Sequence, residues 1–193
     1  MSETNDKGDP VAGTGEREAA SGARRARRWT RWALELGVFV AVLLVIQWWQ
    51  ARDVPEGPAP AFTGATASGA ETSLEKWRAA HPGRPVVVYF WADWCPICKA
   101  QEGSVDAVQR DWPVLTVAMQ SGNAAAVANF LHRRGLAWPT VIDADGAIAR
   151  RFGVRGVPTL VVVGPDGEMR SVMVGYTTEA GMRLRLWWAG AGG

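Results

Sequence analysis

Cysteine, histidine and tyrosine are scarce in this chain, which contains two of each among 193 residues. Two cysteines cannot form a disulfide framework, and His81 and His132 lack the spacing of metal ligands. The charges are also nearly balanced, with 21 basic and 19 acidic residues and a net charge of +2. Such a chain lacks the basic excess that binding to nucleic-acid phosphates requires. No glycine-rich phosphate-binding motif follows a predicted strand, so nucleotide binding has no support.

A cluster of arginines at residues 24–31 precedes one long apolar run at residues 32–49. As a helix, this run would span about 27 Å, close to the ~30 Å hydrocarbon core of a bilayer. Tryptophans at both ends are typical of membrane interfaces: Trp29, Trp32, Trp48 and Trp49. Arginines before the run, and none within it, predict a cytoplasmic N-terminus and an exported C-terminal part. A buried core helix and a cleaved signal peptide are the alternatives.

The composition predicts four segments along the chain. Residues 1–28 are predicted to be a disordered cytoplasmic tail, and residues 29–50 a transmembrane signal-anchor helix. Residues 51–70 are rich in Pro, Gly and Ala and are interpreted as a linker. Residues 71–193 remain as one exported domain, which predicts a protein that crosses its membrane once.

From residue 71 onward, the apolar periods alternate between those of strands and helices. Continuous apolar runs at residues 86–92, 114–119 and 159–163 predict strands that are buried on both faces. Two further strands are predicted at residues 140–142 and 169–174. Five helices are predicted at residues 73–81, 95–109, 123–134, 147–152 and 178–188. This order predicts an α/β fold in which helices flank a mixed central sheet. Five apolar residues of the last helix are expected to pack on that sheet: Met182, Leu184, Leu186, Trp187 and Trp188.

Both cysteines, Cys95 and Cys98, lie in the segment WCPICK, where the strand at 86–92 gives way to a helix. The free N–H groups and the dipole at a helix N-terminus stabilise an anion, which favours the Cys95 thiolate. Cys98 is expected to be less exposed and to resolve a mixed disulfide formed on Cys95. Pro96 suits the first turn of a helix, and Lys99 adds a nearby positive charge.

Three other uses of a cysteine pair compete with redox chemistry. Half of a zinc site would need two more ligands. Covalent haem attachment needs histidine directly after the second cysteine, where this chain has Lys99. A purely structural disulfide across so short a separation closes too small a loop to stabilise much. The placement of the pair at a strand–helix junction therefore favours a redox pair.

The segment VVVYFWADWCPICK, at residues 86–99, resembles the active-site segment of thioredoxin-fold proteins, and GVPT, at residues 156–159, resembles their cis-proline loop. The resemblance implies a thioredoxin fold and a redox-active Cys95–Cys98 disulfide. It also implies protein thiols and disulfides as substrates, and no cofactor. By the same resemblance, substrate contact is expected from Val157, which precedes a cis proline, and from Pro158 and Trp94. Supporting roles are expected for Pro96, Ile97, Lys99 and Glu102.

The apolar run and three further segments, VAMQSG, ADGAIARRFGVRGVPT and VGYTTEAGMRLRLWW, look most like the TlpA-like branch of these proteins. Within that branch the chain most resembles the suppressor-of-copper-sensitivity protein D group. This resemblance implies an inner-membrane oxidoreductase of a Gram-negative bacterium with its catalytic domain in the periplasm. It further implies a membrane partner that donates or accepts electrons by disulfide exchange, and a link to copper tolerance.

Departures from these relatives leave the direction of electron flow open. Tyr89 stands where many thioredoxins carry a buried acid, and Gln101 stands where reductive TlpA-like relatives carry glutamate. Glu102, one step on, is either a replacement for that acid or a surface carboxylate. Ile97 cannot donate a hydrogen bond to a thiolate, so an intermediate potential is expected between ~−270 and ~−120 mV. A cytochrome c maturation-type thiol reductase, and a metal-handling module using the same cysteines, are the alternative functions.

Overall fold

The computed structural model describes residues 32, 35, 37, 38, 40–42 and 57–191. The chain divides into two compact units, Met1–Ile46 and Gln47–Gly193. The described residues of the first unit are helical and exposed. Within the described residues, no helix has both the length and the apolar character needed to cross a membrane. The predicted tail at 1–28 and most of the predicted span at 29–50 lie outside the described residues.

The described part of the second unit contains seven strands and five helices. The strands are β1 (Thr63–Ala65), β2 (Glu71–Ser73), β3 (Val86–Trp91), β4 (Val114–Met119), β5 (Thr140–Asp143), β6 (Thr159–Val163) and β7 (Met169–Val174). The helices are α1 (Leu74–Ala79), α2 (Pro96–Gln109), α3 (Ala124–Arg134), α4 (Ala147–Arg151) and α5 (Glu179–Ala191). Every strand and helix predicted from residue 71 onward is present, with its ends within three residues of the prediction.

The central sheet has five strands in the order β5-β4-β3-β6-β7. β3 runs parallel to β4, and β4 runs parallel to β5. β6 is antiparallel to both β3 and β7, so the sheet is mixed as predicted. Every residue of β3, β4 and β6 is buried, because helices or loops cover both faces of these strands.

Local side-chain caps explain where two of the helices begin. The Ser73 hydroxyl accepts a hydrogen bond from the Lys76 N–H at 3.0 Å, and α1 starts there. The Asn123 side chain accepts from the Ala126 N–H at 3.0 Å, and α3 starts there. Gly135 ends α3 in the left-handed region, with φ 67°, which glycine adopts without steric cost. These caps and this stop confirm the predicted boundaries.

Alternate residues of β3 point into two separate hydrophobic clusters, one on each face of the sheet. Tyr89 and Trp91 belong to the cluster that also contains both cysteines and the buried apolar residues of α2, α3 and α5. Val88 and Phe90 belong to the other cluster, which contains Phe152 at the end of α4. The first of these clusters holds α2 against the sheet, because it contains Cys98, Val105 and Val108 of that helix.

The predicted packing of the last helix is wrong for three of its five apolar residues. Met182 and Leu186 are buried in the core as expected. Leu184, Trp187 and Trp188 are 57%, 61% and 69% exposed. An α-helix has 3.6 residues per turn, so the face that buries Met182 and Leu186 turns the other three toward solvent.

The predicted linker at 51–70 is too long at its C-terminal end, because residues from 57 onward contact the domain. β1 pairs with β2 in an antiparallel hairpin, and the Phe62 ring lies 5.8 Å from the Phe152 ring. A Cβ atom at Gly64 would lie 2.7 Å from Cγ1 of Val141, so this close approach requires glycine. The sequence did not predict β1 because its three residues, TGA, carry no apolar periodicity.

Candidate active site

The two cysteines lie at the N-terminus of α2, directly after the C-terminal end of β3. Cys95 is the N-cap residue, with extended backbone angles, and Pro96 is the first residue of the helix. The Cys95 sulfur accepts a hydrogen bond from the Cys98 N–H at 3.0 Å. Cys95 and Cys98 form a disulfide. The predicted position of the pair at a strand–helix junction is therefore confirmed.

Accessibility at the site differs from the prediction. Cys95 and Cys98 are equally buried, each 3% exposed, so the expectation of a more exposed Cys95 is wrong. The sulfur of Cys95 is covered because it lies 3.6 Å from the Val157 carbonyl oxygen. Trp94 and Ile97, by contrast, are 55% and 49% exposed beside the buried pair. Exposed apolar side chains around a buried reactive group are typical of a surface that contacts a partner.

The loop before β6 faces the disulfide. The Val157–Pro158 peptide bond is cis, as the resemblance implied. The Thr159 hydroxyl donates to the Gly156 carbonyl at 2.8 Å, and the Pro158 carbonyl accepts from the Gly175 N–H at 2.8 Å. These contacts tie the loop to the start of β6 and the end of β7. The structure therefore brings Val157 and Cys95, far apart in sequence, into contact.

A second loop, which follows β4, supports Trp94 and was not predicted to take part in the site. The Trp94 indole N–H donates to the Gln120 carbonyl at 3.2 Å. The Asp93 N–H donates to the Ser121 hydroxyl at 3.1 Å, and Gln120 itself has a positive φ of 49°. The carboxyl ends of neighbouring parallel strands lie at one edge of a sheet. The loop after β4 could therefore have been expected beside the cysteine pair, which follows the neighbouring strand β3.

Tyr89 lies deep beneath the pair in the cluster that contains Cys98, and it is fully buried. Its hydroxyl has no hydrogen-bond partner. Burial, and to a smaller extent the charge of Glu102, raises the pKa of the Tyr89 hydroxyl well above its ordinary value. Tyr89 is therefore held neutral at the place where many thioredoxins carry an acid.

Glu102 lies one turn after Cys98 on the same side of α2, and it is not the surface carboxylate that was one of its two interpretations. Its carboxylate is largely buried, with 12% of the side chain exposed, and it is paired with Arg134 at 2.6 Å. The Arg134 Nε atom also donates to both carboxylate oxygens, at 3.0 and 3.2 Å. Glu102 is thus a paired carboxylate that joins α2 to the end of α3.

Gln101 and Lys99 make contacts that the sequence did not predict. Gln101 is completely buried, and its side-chain oxygen accepts from the Thr177 N–H at 2.9 Å, which ties α2 to the loop before α5. The Lys99 ammonium lies 6.0 Å from the centre of the Phe130 ring, within cation–π range. The positive charge of Lys99 is therefore held beside α3. Among the described residues, no group of three or more His, Cys, Asp or Glu side chains is arranged to hold a metal ion.

We expect the buried Tyr89 hydroxyl to make stability depend on alkaline pH. The unfolded chain loses the tyrosine proton above pH ~10, whereas the folded protein keeps it. This contribution to stability is therefore complete below pH ~10 and falls by about 1.4 kcal/mol per pH unit above it. Chemical unfolding followed between pH 8 and 11 should show that Tyr89→Phe removes this slope.

The other tyrosine provides a matched control, because Tyr176 is 53% exposed. Tyr176→Phe should leave the alkaline slope of the wild-type protein unchanged. Identical slopes for wild type and Tyr89→Phe would contradict the assignment of the slope to the buried hydroxyl.

A disulfide at the N-terminus of the helix that follows the central strand, facing a cis-proline loop, defines a thioredoxin-fold thiol–disulfide oxidoreductase. Comparison with known proteins agrees with this class. Residues 55–172 match the AhpC/TSA family, and the chain belongs to that family.

Two individual proteins illustrate what this chain is similar to. The chain is similar to the "Thioredoxin-like protein" of Haemophilus influenzae, with 32% identity over 107 residues, which are 55% of this chain and 64% of that protein. The chain thus spans less than two thirds of that relative. It is 31% identical to the "Soluble secreted antigen MPT53" of Mycobacterium tuberculosis over 148 residues, 74% of this chain and 82% of that protein.

A solved structure supports the fold. The crystal structure of a "thiol:disulfide interchange protein, thioredoxin family protein" from Chlorobium tepidum is 26% identical in sequence, with a TM-score of 0.59. The alignment covers 70% of this chain and 97% of that chain. The alignment therefore takes in nearly the whole of the solved chain.

Proposed function

We propose that this protein is an exported, membrane-anchored enzyme that exchanges disulfides with protein substrates, with Cys95 as the nucleophile and Cys98 as the resolving cysteine. The observation that carries the proposal is the Cys95–Cys98 disulfide at the N-terminus of α2, beside the Val157 carbonyl. A pair in this position can be reduced and reformed while the surrounding sheet stays intact.

The exchange proceeds in two balanced steps. In the reducing direction, the Cys95 thiolate attacks one sulfur of a substrate disulfide, and the other substrate sulfur leaves as a thiolate. The Cys98 thiolate then attacks the Cys95 sulfur, reforms the enzyme disulfide and releases the second substrate thiolate. The substrate gains two electrons and the enzyme loses two. Oxidation of a substrate dithiol is the same sequence in reverse.

The local hydrogen bond explains why Cys95 is assigned the first step. The Cys98 N–H that points at the Cys95 sulfur stabilises negative charge on that atom, and the α2 dipole adds to the effect. Pro96 has no N–H of its own that would stay unpaired at the first position of the helix. Cys98 lies inside the first turn of α2, where its sulfur is within reach of the Cys95 sulfur and can attack a mixed disulfide formed there.

Substrate recognition is assigned to the surface around the pair. Trp94 and Ile97 offer exposed apolar contact, and the backbone beside Val157 offers polar groups to an extended segment. Such a contact recognises the backbone and the apolar side chains of a substrate and not one particular sequence. The surface therefore suits several protein substrates better than it suits one small molecule.

The proposed location rests on the anchor helix predicted at residues 29–50 and on one relative. The Mycobacterium relative is described as secreted, which supports export of the domain. We assign the run as a single inner-membrane anchor with the domain in the periplasm and a membrane protein as electron donor or acceptor. Alkaline extraction of membranes tests this assignment, because an anchored chain stays in the membrane pellet and an unanchored chain is released.

The resemblance to the suppressor-of-copper-sensitivity protein D group adds a proposed role in copper tolerance. Growth of a deletion strain in copper should be restored by the wild-type gene and not by a gene that encodes Cys95→Ser. Equal restoration by both genes would separate copper tolerance from the disulfide chemistry.

Equilibration with mixtures of reduced and oxidised glutathione at a series of fixed ratios tests the proposed activity and its direction. We expect a reduction potential between ~−270 and ~−120 mV. A value near the lower limit would identify a reductant, and a value near the upper limit would identify an oxidant. A Cys95→Ser/Cys98→Ser variant should neither equilibrate with glutathione nor reduce insulin. Insulin reduction at the wild-type rate by that variant would overturn the proposed function.

A further inference from the structure

The outer face of α5 carries large apolar side chains that the fold does not cover. Leu184, Trp187 and Trp188 are each more than half exposed. Leu184 lies three and four residues before the two tryptophans, so the three side chains are neighbours on the helix surface. We call these three residues the α5 face. A contiguous exposed apolar surface on a small domain is typical of a site of interaction.

Arginines stand beside the α5 face. A groove of about 520 Å³ separates α5 from β7 and is lined by Arg170, Ser171, Leu184, Arg185, Trp188 and Ala189. The lining contains two guanidinium groups and no carboxylate. Arg170 also pairs with Asp166, whereas Arg185 donates to the Gly181 carbonyl at 3.1 Å, a contact that does not neutralise its charge. The surface therefore combines tryptophan with positive charge.

The register of the sheet locates the α5 face relative to the cysteines. One end of the sheet is marked by Phe90, Thr159 and Val174, and the other by Val86, Val163 and Met169. The cysteines follow the first end, whereas Arg170 and Ser171 lie at the second. A Cβ atom on Gly190 would lie 3.5 Å from Pro85, so α5 also ends at the second end. The α5 tryptophans thus lie at the end of the domain opposite to the active site.

The chain enters the domain at that same end. The Gly57 carbonyl accepts from the Met169 N–H at 2.9 Å, and Pro58 forms a β-bridge with Glu168. Only residues 51–56 separate this point from the run proposed as an anchor, and six extended residues reach ~20 Å at most. A bilayer that held the anchor would therefore lie within reach of this end of the domain.

We propose that the α5 face, with Arg170 and Arg185, docks on the headgroup region of an anionic lipid bilayer. Tryptophan prefers the membrane interface, and arginine is attracted to anionic headgroups. Helices that lie on membranes combine the same residue types. Docking would point the cysteines away from the bilayer and toward protein substrates. Docking of the α5 face goes beyond the proposed function. It depends on the proposed anchor only through the short distance between that anchor and residue 57.

Fluorescence quenching by brominated lipids tests the proposal on the full chain. The emission of wild type minus that of Trp187→Phe/Trp188→Phe isolates the two α5 tryptophans from the other nine of the chain. In phosphatidylglycerol-containing vesicles, we expect brominated acyl chains to quench this difference emission about twofold. Phosphatidylcholine vesicles should quench it less, and Arg170→Gln/Arg185→Gln should reduce the quenching in anionic vesicles.

Matched controls and opposing outcomes keep the test decisive. Arg133→Gln removes an exposed arginine elsewhere and should leave the quenching unchanged. Difference emission that brominated lipid does not quench would overturn the proposal. If that unquenched emission were also shifted to the blue, a second copy of the chain or another protein would be the occupant. Alkaline extraction reports separately on the anchor, so failure of the anchor and failure of the α5 face give different results.

Discussion

Replacing Cys98 with serine should convert the enzyme into a trap for its protein substrates. Cys98→Ser leaves Cys95 able to form a mixed disulfide but removes the thiolate that would resolve it. The serine still supplies the backbone N–H that donates to the Cys95 sulfur, so the attacking thiolate keeps its stabilisation. Acid-quenched periplasmic extracts should show covalent adducts on non-reducing gels that disappear after reduction.

Cys95→Ser is the matched control, because it retains Cys98 and alters the same helix terminus. The N–H hydrogen bond that stabilises a thiolate is made to the Cys95 sulfur, so a lone Cys98 is the weaker nucleophile and Cys95→Ser should form few adducts or none. Equal adduct yields from the two variants would contradict the assignment of Cys95 as the attacking cysteine and Cys98 as the resolving one. The absence of adducts from both would contradict exchange with protein substrates.

Phe152→Ala should lower the free energy of unfolding by about 3–5 kcal/mol. Phe152 is completely buried, and its ring lies 5.3 Å from the Phe90 ring and 5.8 Å from the Phe62 ring. Its removal leaves a cavity among α4, β3 and the segment before β1, where strands and helix cannot close together without breaking other contacts. Chemical denaturation of the oxidised protein measures the change.

Leu184→Ala is the control for this measurement, because Leu184 is also a large apolar residue but is 57% exposed. We expect its effect to stay within about 0.5 kcal/mol. An equally small effect of Phe152→Ala would show that the segment around Phe62 contributes little to the core.

Local patterns were sufficient for the five strands of the central sheet, the helices that flank it and the position of the cysteine pair. Continuous apolar runs predicted β3, β4 and β6, because strands covered on both faces need apolar side chains on both. Ser73, Asn123 and Gly135 marked helix ends, because capping depends on neighbours within a few residues.

Side-chain environments set by distant residues were not predictable in the same way. Glu102 could be read as a free carboxylate until the structure brought Arg134, from another helix, to 2.6 Å. The three exposed residues of α5 were expected in the core, because the sequence does not show how much of a helix its neighbours cover. Phe62 was placed in a linker, although its ring packs on Phe152.

The sequence by itself determined the order of the five central strands and the helices between them, and the cysteine pair at a helix N-terminus. Through a resemblance, it also determined the cis-proline loop. Only the tertiary structure decided that Cys95 is as buried as Cys98, because the Val157 carbonyl comes from a distant loop. It also decided that the α5 tryptophans lie at the end opposite to the active site. Both outcomes depend on how separate segments meet, and contacts between distant segments leave no local pattern in the chain.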